Sequence, residues 1–479
     1  MDAFTLPRRC VWLLLAVATW SAGYFYTGGG ASQQAHYGTA RALVDHGTFR
    51  LDDYRFIDVD VARFEGHKLS NKPPGFPILM APAALVGGVA GKLWPGREGT
   101  ARQVGAYVTQ LLLMGGLSFA LLLMLALILS SWMAPAAAAC VAALCFLGSY
   151  LWPFATTFFS HVGTAACGLL AVFIPWRARG RELSTREAAL TGFALGYGPL
   201  IEYAAVVAFL PIGVWLLWHV RSWRERAALV GGALVPLLVL MAYQAYYFGS
   251  PFALSYAHLS TEHQVAGHAK GFLGASWPRK EELRELTFGT YRGLFSITPV
   301  TLVGAVGLGV LARRGEWAGY ARAALLSAAA MLLFISGYWA WQGGSSFGPR
   351  LVLPMVPFLL VGVGVLWQRY APVVVGVTVP AFFFMILGPA VCMIPHASHT
   401  PGYYNLVRFL GDKFLRGQVP AYADPIFGEH LLPPTERPTL GLAWNLGHVV
   451  GLQHEWTVVP FVVVMTALVV LLWREARRA

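Results

Sequence analysis

Residues 67–90 read HKLSNKPPGFPILMAPAALVGGVA. A polar segment ends at Asn71, Lys72 and two prolines, and an apolar segment of about sixteen residues follows. Whether that segment, 76–91, crosses a bilayer decides the topology of everything after it. A bilayer core takes roughly 17–25 apolar helical residues. This one is short and rich in Pro and Gly, which suits an interfacial or partly embedded helix.

Outward from it, apolar runs recur near 11–26, 104–130, 134–152, 161–176, 188–203, 204–219, 227–247, 296–312, 321–338, 351–367, 372–395 and 456–473. The 479 residues are 57% hydrophobic and only 12% charged, with mean hydropathy +0.57. A soluble domain carries about 25% charged residues. The chain therefore reads as an all-α polytopic membrane protein. The N-terminus reads as an uncleaved first helix, because Arg8 and Arg9 precede the apolar run without a clear small-residue cleavage pattern.

Basic clusters fix the orientation. They are Arg8/Arg9, Arg177/Arg179/Arg181/Arg186, Arg221/Arg224/Arg226, Arg313/Arg314/Arg322, Arg369 and Arg474/Arg477/Arg478. Short loops rich in Arg and Lys stay cytoplasmic. If 76–91 crosses, every cluster from Arg177 onward falls outside. If it does not, all fall inside. The second reading gives about twelve spans with both termini cytoplasmic, and a periplasmic first loop with juxtamembrane helices. The net charge of +12 belongs to these clusters and calls for no nucleic-acid partner.

The domain plan follows. Residues 1–395 form the transmembrane module, with outward loops at about 27–103 and 248–295. Residues 396–455 form an outward C-terminal loop, and 456–479 the last span with a basic tail. The five cysteines (Cys10, Cys140, Cys145, Cys167 and Cys392) lie in or beside apolar runs with no metal spacing, as small packing residues do. No internal repeat is evident, which weakens a transporter of inverted repeats.

Chemistry is sought on the outward side. Asp52, Asp53, Asp58 and Asp60 lie within nine residues. Carboxylates there can act as base or ligate a divalent metal, although solvated loop charge is the commoner role of any one. Pro73 favours an extended residue before it and a helix start at it. Lys72 is thereby fixed at the membrane surface, where it meets a lipid phosphate or snorkels as a plain interfacial lysine. His161 stands at an outward turn. Glu202 stands at the outer end of a span, where an ionisable residue is a functional candidate. Arg292 and Arg350 stand at outward borders, and guanidinium forks suit phosphate.

The ordered stretches GHKLSNKPPG, GSYLWPFATTFFSH (148–161), GYGPLIEY (196–203), FGSP (248–251), YRGLF (291–295) and WQGGSSFGPRLVLPMVPF (341–358) resemble motifs of bacterial GT-C glycosyltransferases. That superfamily includes protein O-mannosyltransferases and the aminoarabinose transferase of lipid A. The resemblance runs from about residue 27 to 358. It implies a GT-C-like bundle and a polyprenyl-phosphate sugar donor. It further implies an acceptor of unspecified class (glycan, lipid or protein) on the external face of the bacterial inner membrane, and an inverting displacement. Lys72, Arg292 and Arg350 would hold the donor phosphate. Asp60, with Asp58 second, would deprotonate or orient the acceptor, and His67, His161 and Glu202 are further candidates. One departure stands out. Where relatives carry an acid just after the first span, this chain has Gln33 and Gln34, which hydrogen-bond but cannot take a proton. Metal-dependent and metal-independent members both occur, so a divalent ion is open. A transporter or flippase for lipid-linked sugars, and a non-catalytic scaffold, are the alternatives.

Overall fold

The computed structural model describes residues 5–54, 57, 60–95, 98–259, 261–313, 315–395, 405–419 and 443–478. In chain order they form α1 (Arg8–Gly23), β1 (Phe25–Tyr26), α2 (Ala31–His46), a hairpin of β2 (Val61–Phe64) and β3 (His67–Ser70), α3 (Gly75–Leu93), α4 (Glu98–Leu129) and α5 (Pro135–Leu147). Next come α6 (Leu151–Phe154), α7 (Ser160–Arg177), α8 (Thr185–Ile201), α9 (Ala205–His219) and α10 (Trp223–Phe248). Short helices α11 (Glu262–His268), α12 (Lys280–Phe288) and α13 (Leu294–Ile297) precede α14 (Pro299–Leu311), α15 (Ala318–Gly337), α16 (Val356–Val361) and α17 (Val363–Val391). The chain closes with α18 (Leu406–Leu415), β4 (Trp444–Asn445), α19 (Leu446–Val449) and α20 (Val459–Arg478).

Six described helices are long and apolar enough to cross a membrane, and shorter apolar helices accompany them. The chain is a multi-pass helical membrane protein. Local signals account for several boundaries. Ser184 and Glu187 cap α8 reciprocally. Gly249 ends α10 in the left-handed region, at φ 77°. Within α17 the helix breaks at Tyr370 (φ −127°, ψ 27°), two residues before Pro372. A proline inside a helix lacks the N–H and clashes with the preceding turn. The long run from Arg350 to Val391 therefore folds as two arms, matching the separate apolar runs 351–367 and 372–395.

Contacts locate the two ends of the 76–91 segment. Helix α3 has 19 residues and is long enough to cross. Its first residue, Gly75, accepts a hydrogen bond from Tyr197 near the end of α8 (3.0 Å). Its far end packs on the start of α4: a Cβ on Gly91 would meet the Ala101 carbonyl at 2.5 Å. The start of α4 in turn lies beside the end of α1. Gln110 donates to the carbonyls of Ala22 (2.8 Å) and Phe25 (2.9 Å), and Tyr107 donates to Gly23 (2.8 Å). The start of α3 thus packs against the end of α8, and α3 runs back along the first turns of α4, ahead of the residues of α4 that meet the end of α1. Helix α2 lies along it, with Arg41 donating to the Ala84 carbonyl (2.7 Å). Helix α4, at 32 residues, is about 48 Å long, so its first turns project past α1.

The segments around β1 and β4 meet at the end of α1. Strand β1 pairs with β4, and the Tyr24 hydroxyl donates to the Thr457 carbonyl at 2.5 Å. The opposite end is closed by an aromatic stack. Trp176 and Trp317 lie face to face with centroids 3.9 Å apart, flanked by Trp215 and His219.

Candidate functional site

The site begins in the β2–β3 hairpin. Its register pairs Val61 with Ser70, so Asp60 falls opposite Asn71. The Asn71 N–H donates to the Asp60 carbonyl (3.0 Å), and its side-chain amide donates to Asp60 Oδ1 (3.2 Å). Asp60 has φ 59°, in the left-handed region, a conformation that costs a non-glycine residue about 1–3 kcal/mol and concentrates at functional sites. Lys72 follows, and then Pro73, Pro74 and Gly75 turn the chain into α3. Gly75 is required for close approach: a Cβ there would lie 2.5 Å from the Leu200 carbonyl.

That contact sets Lys72 beside the end of α8, whose capping residue is Glu202. The Ser160 hydroxyl, at the start of α7, donates to Glu202 Oε1. His161 follows, buried, with no partner for Nδ1. Arg350 reaches in from the loop after α15. Its guanidinium lies 5.3 Å from the Phe159 ring, and its buried Nε has no partner. Both Asp60 and Glu202 act electrostatically on Arg350.

The loop after α10 closes another side. Ser255 donates to the Asn71 carbonyl (2.8 Å). The Tyr256 ring lies 5.8 Å from Lys72 Nζ and stacks on His268 with centroids 3.8 Å apart. Tyr338 and His268 Nδ1 are 3.4 Å apart. Burial, with Lys72 adding to it, holds the His268 imidazole down at about 4 against Asp60. His36, from α2, is wholly buried against the edge of Phe76, and neither ring nitrogen has a partner. Burial depresses its pKa to about 3. Glu202 opposes that shift, while Lys72, His161 and Arg350 add to it.

The structure thus brings Asp60, Lys72, His161, Glu202 and Arg350 into one cluster of two cations, two carboxylates and an imidazole. Buried polar atoms are normally paired. Here His36, His161, Asn71, Arg350 and Gln33 all carry buried atoms that are not. Sequence reading missed His36, Ser160, Tyr256, His268 and Tyr338. His36 sits in the amphipathic pattern of α2, and the aromatic residues lie in loops without motif spacing. The unusual FSH and IEY junctions, where polar residues meet the ends of apolar runs, were the available signal for Ser160.

Other candidates lie elsewhere. Arg292 is fully buried. It donates to the main-chain carbonyls of Gln342 (2.9 Å), Ser346 (2.5 Å) and Gly344 (3.0 Å) and to the Tyr291 hydroxyl (2.9 Å), so it holds the 342–346 loop together. His67 pairs with Asp52 at 2.8 Å on the hairpin surface. The Asp52 carboxyl is lowered, against burial, by the Lys68 N–H and by His67. Gln33 Oε1 accepts from the Gly30 N–H (2.9 Å) at the start of α2, and Gln34 is buried beside it. Asp58 lies outside the described residues. Among the described residues, no three His, Cys, Asp or Glu gather as a metal site.

No protein-family model and no curated protein matches the chain. Among solved structures it is similar to ArnT from Cupriavidus metallidurans bound to undecaprenyl phosphate. The identity is 16% and the TM-score 0.51, over 98% of this chain and 72% of that one. The same ArnT in the apo state aligns with a TM-score of 0.49, at 16% identity and over 98% of this chain and 76% of that one. The Archaeoglobus fulgidus oligosaccharyltransferase aligns with a TM-score of 0.47, at 11% identity and over 90% of this chain and 60% of that one. At this identity the likeness to the lipid-bound ArnT is a likeness of fold.

Proposed function

We propose that this chain is a membrane glycosyltransferase that moves a sugar from a polyprenyl-phosphate donor to an acceptor on the external face of the bacterial inner membrane. The observation carrying this reading is the cluster of Lys72 and Arg350 with Asp60 and Glu202 at the loop-bearing end of the bundle. The fold it shares with an ArnT solved with undecaprenyl phosphate supports the choice of lipid phosphate.

Lys72 and Arg350 hold the donor phosphate, Arg350 through the fork that suits phosphate oxygens. Charge builds on that phosphate as the glycosidic bond breaks, and fixed cations there stabilise the transition state. The carboxylates hold the acceptor hydroxyl opposite the leaving phosphate, so one displacement inverts the anomeric carbon. Tyr256 and His268 wall the side of Lys72 and restrict water. The test is release of polyprenyl phosphate from a panel of labelled polyprenyl-phosphate sugars by purified protein. Turnover of one donor is expected. Failure with every donor, in folded protein, overturns the reading.

A further inference from the structure

We infer that Glu202 takes the proton from the acceptor hydroxyl, with Ser160 as its positioning residue, in place of the acid missing at Gln33 and Gln34. The inference rests on the glycosyltransferase reading and assigns its acceptor side.

Three observations separate Glu202 from Asp60. The first is the scaffold. Glu202 caps α8, and its N–H is held by the Gly198 carbonyl at 2.8 Å. A group on a rigid helix end is placed more precisely than one on a loop. Asp60 stands outside any helix, just before β2 at the open end of the hairpin. The second is what each carboxylate already does. Asp60 Oδ1 is tied to the Asn71 amide, and that bond registers the hairpin. Glu202 Oε1 takes the Ser160 hydroxyl, and Oε2 accepts no protein hydrogen bond among the described residues. The third is position. Of the charged groups acting on buried His36, Glu202 is foremost, while both carboxylates act on Tyr256, Tyr338 and Arg350. Asp60 acts on His268, on the other wall of the site. Glu202 therefore lies close to His36 of α2, the helix that carries Gln33 and Gln34.

The step balances without a co-reactant. The acceptor O–H gives its proton to Glu202 Oε2, and its oxygen bonds to the anomeric carbon. The bond from that carbon to the phosphate oxygen breaks, and its electron pair leaves with polyprenyl phosphate against Lys72 and Arg350.

The experiment uses the full-length protein in detergent. A panel of tritium-labelled undecaprenyl-phosphate sugars serves as donor, and solubilised host membranes serve as the acceptor source. A positioned general base contributes about 10²–10⁴-fold. Glu202→Gln should lose at least ~10²-fold in kcat while binding undecaprenyl phosphate like the wild type. Glu202→Asp should retain part of the rate. Formate should restore turnover to Glu202→Gly and not to Asp60→Gly. Ser160→Ala should fall between wild type and Glu202→Gln. A Glu202→Gln enzyme with near-normal kcat overturns the assignment. So does one whose lipid binding and melting temperature fall with its rate, since that marks a structural role. Wild-type protein inactive with every donor fails the underlying reading instead, and that outcome is separable from the variant results.

Discussion

Asn71 binds Asp60 twice, through its N–H to the Asp60 carbonyl at 3.0 Å and through its amide to Oδ1 at 3.2 Å. This pairing closes the open end of the hairpin and makes Lys72, the next residue, move with Asp60. A first-loop acid and a first-loop cation are thereby held as one unit against α8.

The lock between that unit and α8 is Gly75. Gly75→Ala must push the Leu200 carbonyl away from 2.5 Å, and backbone cannot yield as a flexible side chain does. The expected outcome is a loss of turnover of ~10-fold or more with folding retained, because Lys72 and Glu202 lose register, and small misplacements cost as much as ~10²-fold. Kinetics and a melting curve on the same preparation check it.

Arg292 behaves differently from Lys72 and Arg350. Arg292→Ala strands three buried carbonyls and the Tyr291 hydroxyl, each costing about 1–3 kcal/mol when left unpaired. Thermal unfolding should show a large loss of stability, with donor affinity per folded molecule little changed. A donor-specific defect at wild-type stability would return Arg292 to the phosphate site.

Acid should weaken the outer end. His36 binds its proton at about 3 when folded and near 6.5 when unfolded, so the unfolded chain holds more protons between those values. Stability from this group is complete above about pH 6.5 and declines as pH falls toward 3, at up to ~1.4 kcal/mol per unit. Melting temperature against pH should fall over that window, and His36→Leu should flatten the curve.

Helix α3 gives a topological prediction. Its N-terminal side carries the hairpin tip at Glu65, and its C-terminal side ends near exposed Lys92. With the five native cysteines removed, Glu65→Cys and Lys92→Cys should both react with an impermeant thiol reagent from the same side of intact cells. Labelling from opposite sides would make α3 a span.

Much of this was readable along the chain. Polar residues at the ends of apolar runs, such as Lys72, His161, Glu202 and Arg350, interrupt a hydropathy pattern, and they form the cluster. The Arg parity argument reads 76–91 as an interfacial or partly embedded helix, and the labelling experiment above decides that reading. Arg292 and Arg350 were indistinguishable because both stand at outward borders. Only the tertiary path of 342–346 wraps carbonyls around one and leaves the other beside the carboxylates. His36 was hidden because a helix period shows which face is buried, not which buried residue lacks partners.

The central claim is that Lys72 and Arg350 hold a lipid phosphate whose sugar is transferred. The most direct measurement is undecaprenyl-phosphate binding together with turnover of its labelled sugar conjugates, in wild type, Lys72→Ala and Arg350→Ala. Each charge-assisted bond contributes about 1.5–3 kcal/mol, so each variant should lose roughly 10–150-fold in affinity and at least that in turnover, while melting like the wild type. Full binding and turnover in both folded variants would contradict the account.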